Sequence, residues 1–559
     1  MQSSIIDVFR AIATALPDRE CLVHRATRHT YATVHDRAER LASLLAGRGL
    51  GAHRERPRLG PCESGQDHLA LYLHNCPAYF EATLGALAAR LAPLSVNYRY
   101  TAAELRHLFG DARPAVIVYH ATFAPVIAEV LPQLPTTPLL LQVEDGSGHP
   151  LLPGALDYDR ALDETPRDPT PPDASPDDLF LLYTGGTTGM PKGTMWRNGD
   201  LMRNLAGILY PPDASPAEAA TAVAAAVGPH YLGTAPFMHA TGWVGALRTL
   251  LLGGVVVIPD APHRLDPPDV CALIEREQID TASLVGEAFC RPIADELDRR
   301  TYDMSSLRAV LLSGGATQPR TLERLAAHMH QTVFSDAAGS SEIMQVVRTE
   351  IPIGATREAG VFSMLPRGRV VDQARTRLLG PGEEGIGWLA GAEPLPLGYL
   401  GDEAKTAETF QTVDGQRLGI PGDLVRLRAD GTLVLLGRDS MTINTGGEKV
   451  FAEEVERAVF THPAVLDVLV VGRPSERWGS EVVALIRLDG AAGLPDDEEL
   501  RARAGEQIAR YKLPKAFLQV PEIRRNPAGK ADYAWARALA AEASEESCLP
   551  SHTSAATRP

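Results

Sequence analysis

A chain of 559 residues exceeds what one hydrophobic core organises, so two or more domains are expected. With 45% hydrophobic and 22% charged residues, its composition is that of a folded globular protein and sets aside a disordered or fibrous chain. A formal charge of −16 opposes a nucleic-acid backbone as the main partner, because that binding needs a basic footprint.

At the start, Ile5, Ile6, Phe9 and Ile12 recur at helical spacing without a basic run before them, which reads as an amphipathic helix and not a signal peptide. No stretch approaches the roughly 20 apolar residues that span a bilayer. Cys21, Cys62, Cys76, Cys271, Cys290 and Cys548 are scattered without C-x-x-C pairs, so neither a disulfide framework nor a zinc site is expected. A soluble, reduced, cytoplasmic setting follows as the expectation. Peripheral membrane contact and a homodimer are both compatible with this composition.

Short apolar runs at Ala115–Tyr119, Leu139–Val143, Phe180–Tyr183, Val255–Ile258 and Ala309–Leu312 read as strands. Amphipathic stretches such as Val34–Leu45 and Tyr79–Ala89 lie between them. Such alternation argues for parallel sheets covered by helices. Thr165–Asp178 and Tyr210–Pro216 are read as loops, and both contain Pro-Pro-Asp-Ala-Ser-Pro. After about residue 440 the pattern becomes a smaller α+β one: a helix at Ala452–Phe460, then strands at Val465–Val471 and Glu481–Leu488. The run Ala541–Pro559, rich in Ser, Glu, Thr and Pro, is expected to be disordered. The fold class is therefore α/β: a large N-terminal domain (1–439) of parallel-rich sheets sandwiched by helices, a small mobile α+β domain (440–545), and a tail (546–559).

Phe180–Tyr183 runs directly into Thr184, Gly185, Gly186, Thr187, Thr188, Gly189, Met190, Pro191, Lys192 and Gly193. A strand opening into glycines and hydroxyls presents N–H and O–H donors to an anion, and Lys192 adds a mobile positive charge. A Walker A loop needs Gly immediately before its Lys, where this chain has Pro191. The plainer alternative is a flexible surface turn. Lysine itself is scarce, at 192, 405, 449, 512, 515 and 530 only, every other basic residue being arginine. Where Lys persists, a compact ammonium on a flexible stem is a reasonable requirement.

This loop resembles the phosphate-binding signature of the adenylate-forming superfamily, which includes the acyl-CoA synthetases, and further motifs follow in the same order. Ser313, Gly314, Gly315 and Ala316 resemble the loop that lines adenine and the floor of the acyl pocket. Asp336-Ala-Ala338-Gly339-Ser-Ser341-Glu342 resembles a motif whose carboxylate binds Mg²⁺; the match implies that Glu342, with Thr184, holds the metal and that Ser341 contacts the α-phosphate. Ala338 departs from the aromatic residue usual there. Asp423 and Arg438 resemble the ribose-binding pair. Ser440 falls at the hinge position, usually Asp or Lys. Gly446, Gly447, Glu448 and Lys449 match the turn that lines the coenzyme A tunnel. Lys530, in Asn526-Pro-Ala-Gly-Lys530, resembles the catalytic lysine of the mobile domain.

Two segments, Pro236–Trp243 and Leu284–Phe289, match those lining the carboxylate channel. His239 in the first is read either as a gate of that channel or as a packing residue. The resemblance implies an ATP-dependent acyl-CoA ligase, with Lys530, Glu342, Lys192 and His239 as candidate catalytic residues. Its substrates would be ATP, coenzyme A and a small-molecule carboxylic acid that is long-chain or bulky and hydrophobic. Two alternatives stay open: an acyl-AMP ligase that loads a separate carrier protein, and a nucleotide-binding homologue with reduced catalysis.

Overall fold

The computed structural model describes residues 3–168, 170–184, 191–205, 209–313, 317–351, 360–380, 382–438, 441–445, 448–475, 479–489, 495–525 and 531–546; for 184, 438, 444, 448, 449, 479 and 544–546 it describes the backbone alone. Two compact units emerge: one of residues 1–383, 389–421 and 429–432, the other of 384–388, 422–428 and 433–559.

In the larger unit, strands β1 (Glu20–His24) and β2 (Thr27–Thr30) form a hairpin that belongs to the second of two sheets. The first sheet takes the next seven strands: β3 (His68–Tyr72), β4 (Ala92–Ser95), β5 (Val116–His120), β6 (Leu139–Val143), β7 (Leu156–Asp157), β8 (Leu179–Thr184) and β9 (Lys192–Arg197). Their spatial order is β7-β6-β5-β3-β4-β8-β9, parallel throughout except for the antiparallel β8–β9 pair. The second sheet adds β10 (His230–Leu232), β11 (Val255–Ile258), β12 (Thr281–Val285), β13 (Ala309–Ser313), β14 (Val333–Ser340), β15 (Met344–Ile351) and β16 (Val361–Met364). These nine strands are one stretch of a 15-stranded sheet and run β16-β15-β14-β13-β12-β10-β11-β1-β2, with a parallel centre from β14 to β1 and antiparallel pairs on either side of it.

Period two explains why these runs are apolar throughout. In β3 and β5, Leu69, Leu71, Val116 and Val118 enter one core, while Ala70, Tyr72, Ile117 and Tyr119 enter another on the opposite face. The first of these cores is shared by both sheets through the helices Ile5–Ala15, Tyr31–Ala46 and Pro77–Ala88. Every residue from Ala78 to Ala88 is buried, and Gly85 brings its helix so close to Tyr31–Ala46 that a Cβ there would lie 2.9 Å from the Ala38 carbonyl. Helices Pro267–Arg276, Gly286–Arg299 and Pro319–His328 pack on the far face of the second sheet. A large α/β unit of parallel-rich sheets between helices is what the sequence pattern implies.

The smaller unit contains a sheet ordered Glu448–Phe451, Thr442–Thr445, Gly479–Leu488, Val465–Ser475, with Ala516–Gln519 parallel to Gly479–Leu488. Helix Ala452–Val459 packs on one face of it and helix Tyr533–Glu546 on the other. Two expectations need correction. Ala541–Glu546, read as the start of a disordered run, are the end of that last helix; Ala and Glu are strong helix formers, and Ala536 and Ala540 are fully buried. Pro216, read as loop, is the first residue of helix Pro216–Ala224, which Ser215 and Glu218 close with a capping box. The rest of the tail, 547–559, lies outside the described residues. Among the described residues, no helix is long and apolar enough to cross a membrane.

In the larger unit, strand ends gather imidazoles. His24 ends β1, His120 ends β5, and His74 follows β3, its ring 5.6 Å from that of His120. The His74 amide donates to His120 Nδ1 at 3.0 Å. Burial is the first cause that pushes the His120 imidazole down to about 3 and those of His74 and His24 to about 4. These values lie below the ordinary 6.5, so the associated stability is whole above that pH and is lost as pH falls through 4 and 3. The thermal midpoint is therefore expected to decline as pH falls below 6.5. His120→Asn, which keeps an acceptor but does not titrate, should give a shallower decline; a slope equal to the parent's contradicts the account.

Candidate functional site

The threonine- and glycine-rich stretch of sequence connects β8 to β9, which pair antiparallel. Six successive register pairs run from Leu179↔Arg197 to Thr184↔Lys192, which sets Lys192 beside the loop's departure point. The stem is pinned from below. Tyr183 donates from its hydroxyl to Asp111 Oδ2 at 2.7 Å, and a Cβ on Gly193 would sit 2.6 Å from the Tyr183 ring. Burial first, and then the Asp111 carboxylate, raise the Tyr183 phenol well above its ordinary value, so it stays a neutral donor. Residues 185–190 lie outside the described ones, and so do the phosphate contacts read for Gly185, Gly186, Thr187, Thr188 and Gly189; Thr184 is described by its backbone alone.

The β14–β15 hairpin carries the second group. Asp336 stands opposite Thr349, and Ala338 opposite Val347; both are half-buried. A register shift between Ala338 and Gly339 then tightens the turn that bears Glu342. Gly339 is required there: a Cβ would lie 1.8 Å from the Met344 carbonyl oxygen, and Met344 itself has φ 53°. The turn is held by buried Ile343, against which a Cβ on either Gly391 or Gly419 would come within 2.7 Å. Trp196 of β9 donates its indole N–H to the Ser341 carbonyl at 2.8 Å.

Segment 397–405 joins these two groups. Leu397 N donates to Met195 O, Met195 N to Gly398 O, and Leu400 N to Gly193 O, at 2.8, 2.9 and 2.8 Å, so the segment lies along β9. From it, Tyr399 donates its hydroxyl to Glu342 Oε1 at 2.7 Å. Three residues on, Asp402 forms an ion pair with Lys192 while capping the helix Glu403–Thr409 through the Lys405 amide at 2.9 Å. Lys192 and that amide hold the Asp402 carboxyl below the ordinary range. One short segment thus holds a cation at the loop's base and a carboxylate on a neighbouring sheet. Tyr399 and Asp402 escaped the sequence reading. The usable signal was Gly398-Tyr-Leu-Gly-Asp402: a single aromatic inside a turn that ends in a helix-capping Asp.

Other candidates stand elsewhere. His239 is the residue before the helix Ala240–Leu251, and its carbonyl accepts from the Gly242 and Trp243 amides. Ser313 ends β13 with its hydroxyl buried and, among the described residues, without a hydrogen-bond partner; Gly314, Gly315 and Ala316 beyond it are outside the described residues. In the smaller unit, Asp423 and Arg438 face each other in register across an antiparallel pair, and Gly422 and Gly437 beside them have φ of 102° and 118°. Glu448 and Lys449 form the start of a strand, described by backbone alone. Ser440, Gly446, Gly447 and Lys530 lie outside the described residues. Arg525, the last described residue before Asn526, bridges to Ala531 and pairs with Asp467 at 2.7 Å.

The model of the family described as AMP-binding enzyme matches residues 9–400, and that of the AMP-binding enzyme C-terminal domain matches residues 454–530. The chain belongs to the AMP-binding enzyme family. Over 537 residues it is 45% identical to the medium-chain acyl-CoA ligase Mig of Mycobacterium avium, covering 95% of this chain and 97% of that protein. It is 33% identical to the 3-oxocholest-4-en-26-oate–CoA ligase of Rhodococcus rhodochrous, over 96% of each. Among solved structures, the anthranilate CoA ligase AuaEII in complex with anthranoyl-AMP aligns with a TM-score of 0.80 over 97% of this chain and 98% of that one. At 19% identity, that likeness shows the fold.

Gly339→Ala should force the β14–β15 turn apart at a cost of about 1–3 kcal/mol, the usual range for overpacking. Chemical denaturation measures it, and an unchanged midpoint contradicts the geometry.

Proposed function

We propose that this chain is an ATP-dependent acyl-CoA ligase: a carboxylic acid and ATP give acyl-AMP and pyrophosphate, and coenzyme A then takes the acyl group and releases AMP. What carries the reading is 45% identity to the medium-chain acyl-CoA ligase of M. avium over 95% of the chain. Relatives named for medium-chain acyl groups and for a sterol side-chain acid support a hydrophobic substrate, long-chain or bulky.

In the first step a carboxylate oxygen attacks the α-phosphorus, and the bond to the bridging oxygen breaks to release pyrophosphate. Lys192 and the loop from Thr184 to Gly189 receive the phosphates through N–H and O–H donors, with Ser341 on the α-phosphate. Gly314, Gly315, Ala316, Asp336, Ala338 and Gly339 border the base, and Asp423 and Arg438 take the ribose. Glu342, with Thr184, suits Mg²⁺. One carboxylate with one oxygen already hydrogen-bonded fits a cation that draws most ligands from water and phosphate. When bound, Mg²⁺ neutralises phosphate charge. Lys530 bridges carboxylate and α-phosphate, where negative charge grows. His239 borders the carboxylate channel.

In the second step the thiol sulfur bonds to the acyl carbon and AMP leaves. The segment from residue 440 to 545 turns about Ser440, which withdraws Lys530 and brings in Gly446, Gly447, Glu448 and Lys449 beside coenzyme A. Magnesium, a cytoplasmic setting and the domain limits 1–439 and 440–545 belong to this same reading.

Lys530→Ala should abolish acyl-adenylate formation, read as acid-dependent pyrophosphate release, while thioester synthesis from supplied acyl-adenylate continues. Equal loss of both half-reactions refutes the assigned role. Run with acids from acetate to sterol acids, the pyrophosphate assay should favour the hydrophobic ones, and thioester should appear only when coenzyme A is added.

A further inference from the structure

A metal-binding carboxylate works only if its oxygens point where the cation sits. Glu342 is on a three-residue turn, and nothing in its own backbone fixes the side chain. Tyr399 does. Its hydroxyl is 2.7 Å from Glu342 Oε1, and because an ionised carboxylate only accepts, the phenol is the donor. Among the described residues, that leaves Oε2 and the remaining lone pair of Oε1 for a cation.

Tyr399 is itself fixed on every side. It is 6% exposed. Its ring packs on Phe410 at 6.0 Å between centroids, and the Arg417 guanidinium covers Phe410 at 5.1 Å. Its amide donates to Thr406 Oγ1 at 2.9 Å, and its backbone bridges to Thr194 of β9. The hydroxyl is thus placed by the strand that leaves the phosphate loop.

We propose that Tyr399 is a positioning residue for nucleotide-bound metal: it orients the Glu342 carboxylate toward the cation and ties that orientation to the base of the loop. The inference rests on Glu342 as the magnesium carboxylate and goes beyond it by naming what aims the group. Hydrogen bonds to ligating groups commonly alter metal affinity by about 10- to 100-fold. A merely structural tie between β9 and the turn would alter stability and leave metal affinity alone.

The test is binding without turnover. Mn²⁺ is titrated into the protein with saturating α,β-methylene-ATP and no acid, and free Mn²⁺ is read by electron paramagnetic resonance. Tyr399→Phe is expected to weaken Mn²⁺ binding about 10-fold or more. Unchanged binding in Tyr399→Phe, alongside weakened binding in Glu342→Gln, makes the contact a structural tie and overturns the inference. If Glu342→Gln also binds Mn²⁺ as the parent does, the assignment of Glu342 fails and takes the inference with it. Should Tyr399→Phe not fold, 4-fluorophenylalanine at 399 keeps the length of the ring without a donor; Mn²⁺ binding should then weaken about 10-fold or more, and binding equal to the parent's overturns the proposal.

Discussion

The pairing of segment 397–400 with β9 is the constraint on which the candidate site depends. Without the hydrogen bonds from Leu397 to Met195 and from Met195 to Gly398, Tyr399 and Asp402 would have no fixed address. With them, one strand edge sets the position of two opposite charges at once. Asp402 meets Lys192 at the start of β9, and Tyr399 meets Glu342 on the other sheet. The Lys192–Asp402 pair is partly exposed, so it contributes little to stability. Its value is positional: it keeps the Lys192 ammonium beside the start of β9.

Close approach recurs around this constraint. Gly193 lies under Tyr183, Gly339 against Met344, and Gly391 and Gly419 against Ile343. Each is a place where a side chain would push apart two elements that the site needs together. Among these, Gly339 has the least room, because its neighbour is backbone and cannot rotate away. The sheets below are ordinary by comparison. Their parallel strands are buried on both faces, which makes a rigid platform and leaves chemistry to the loops at the strand ends.

The platform was legible in the sequence because its signal is local. Leu139–Val143 and Val255–Ile258 are strands with the limits their apolar runs imply, and the amphipathic start is the helix Ile5–Ala15. Local signals failed where neighbours decide. Pro-Pro-Asp-Ala-Ser-Pro occurs twice, and the copy ending at Pro176 stays irregular while the one ending at Pro216 begins a helix, because Ala217 and Glu218 continue it. The run from Ala541 looked disordered by composition, yet the helix it ends is anchored by Ala536 and Ala540. Lys192 and Glu342 stood out through motifs that carry their own chemistry. Tyr399 and Asp402 did not, since their partners lie 57 and 210 residues away and no local pattern encodes such a meeting.

The central claim is that a carboxylate of the acid becomes bonded to the α-phosphorus of ATP. Supplying the protein with ATP, coenzyme A and a hydrophobic acid labelled with ¹⁸O in both carboxylate oxygens measures it directly. The account predicts one labelled oxygen in the AMP released and one retained in the thioester. Thioester formation with AMP free of label, or with ADP and phosphate as the products, would contradict it.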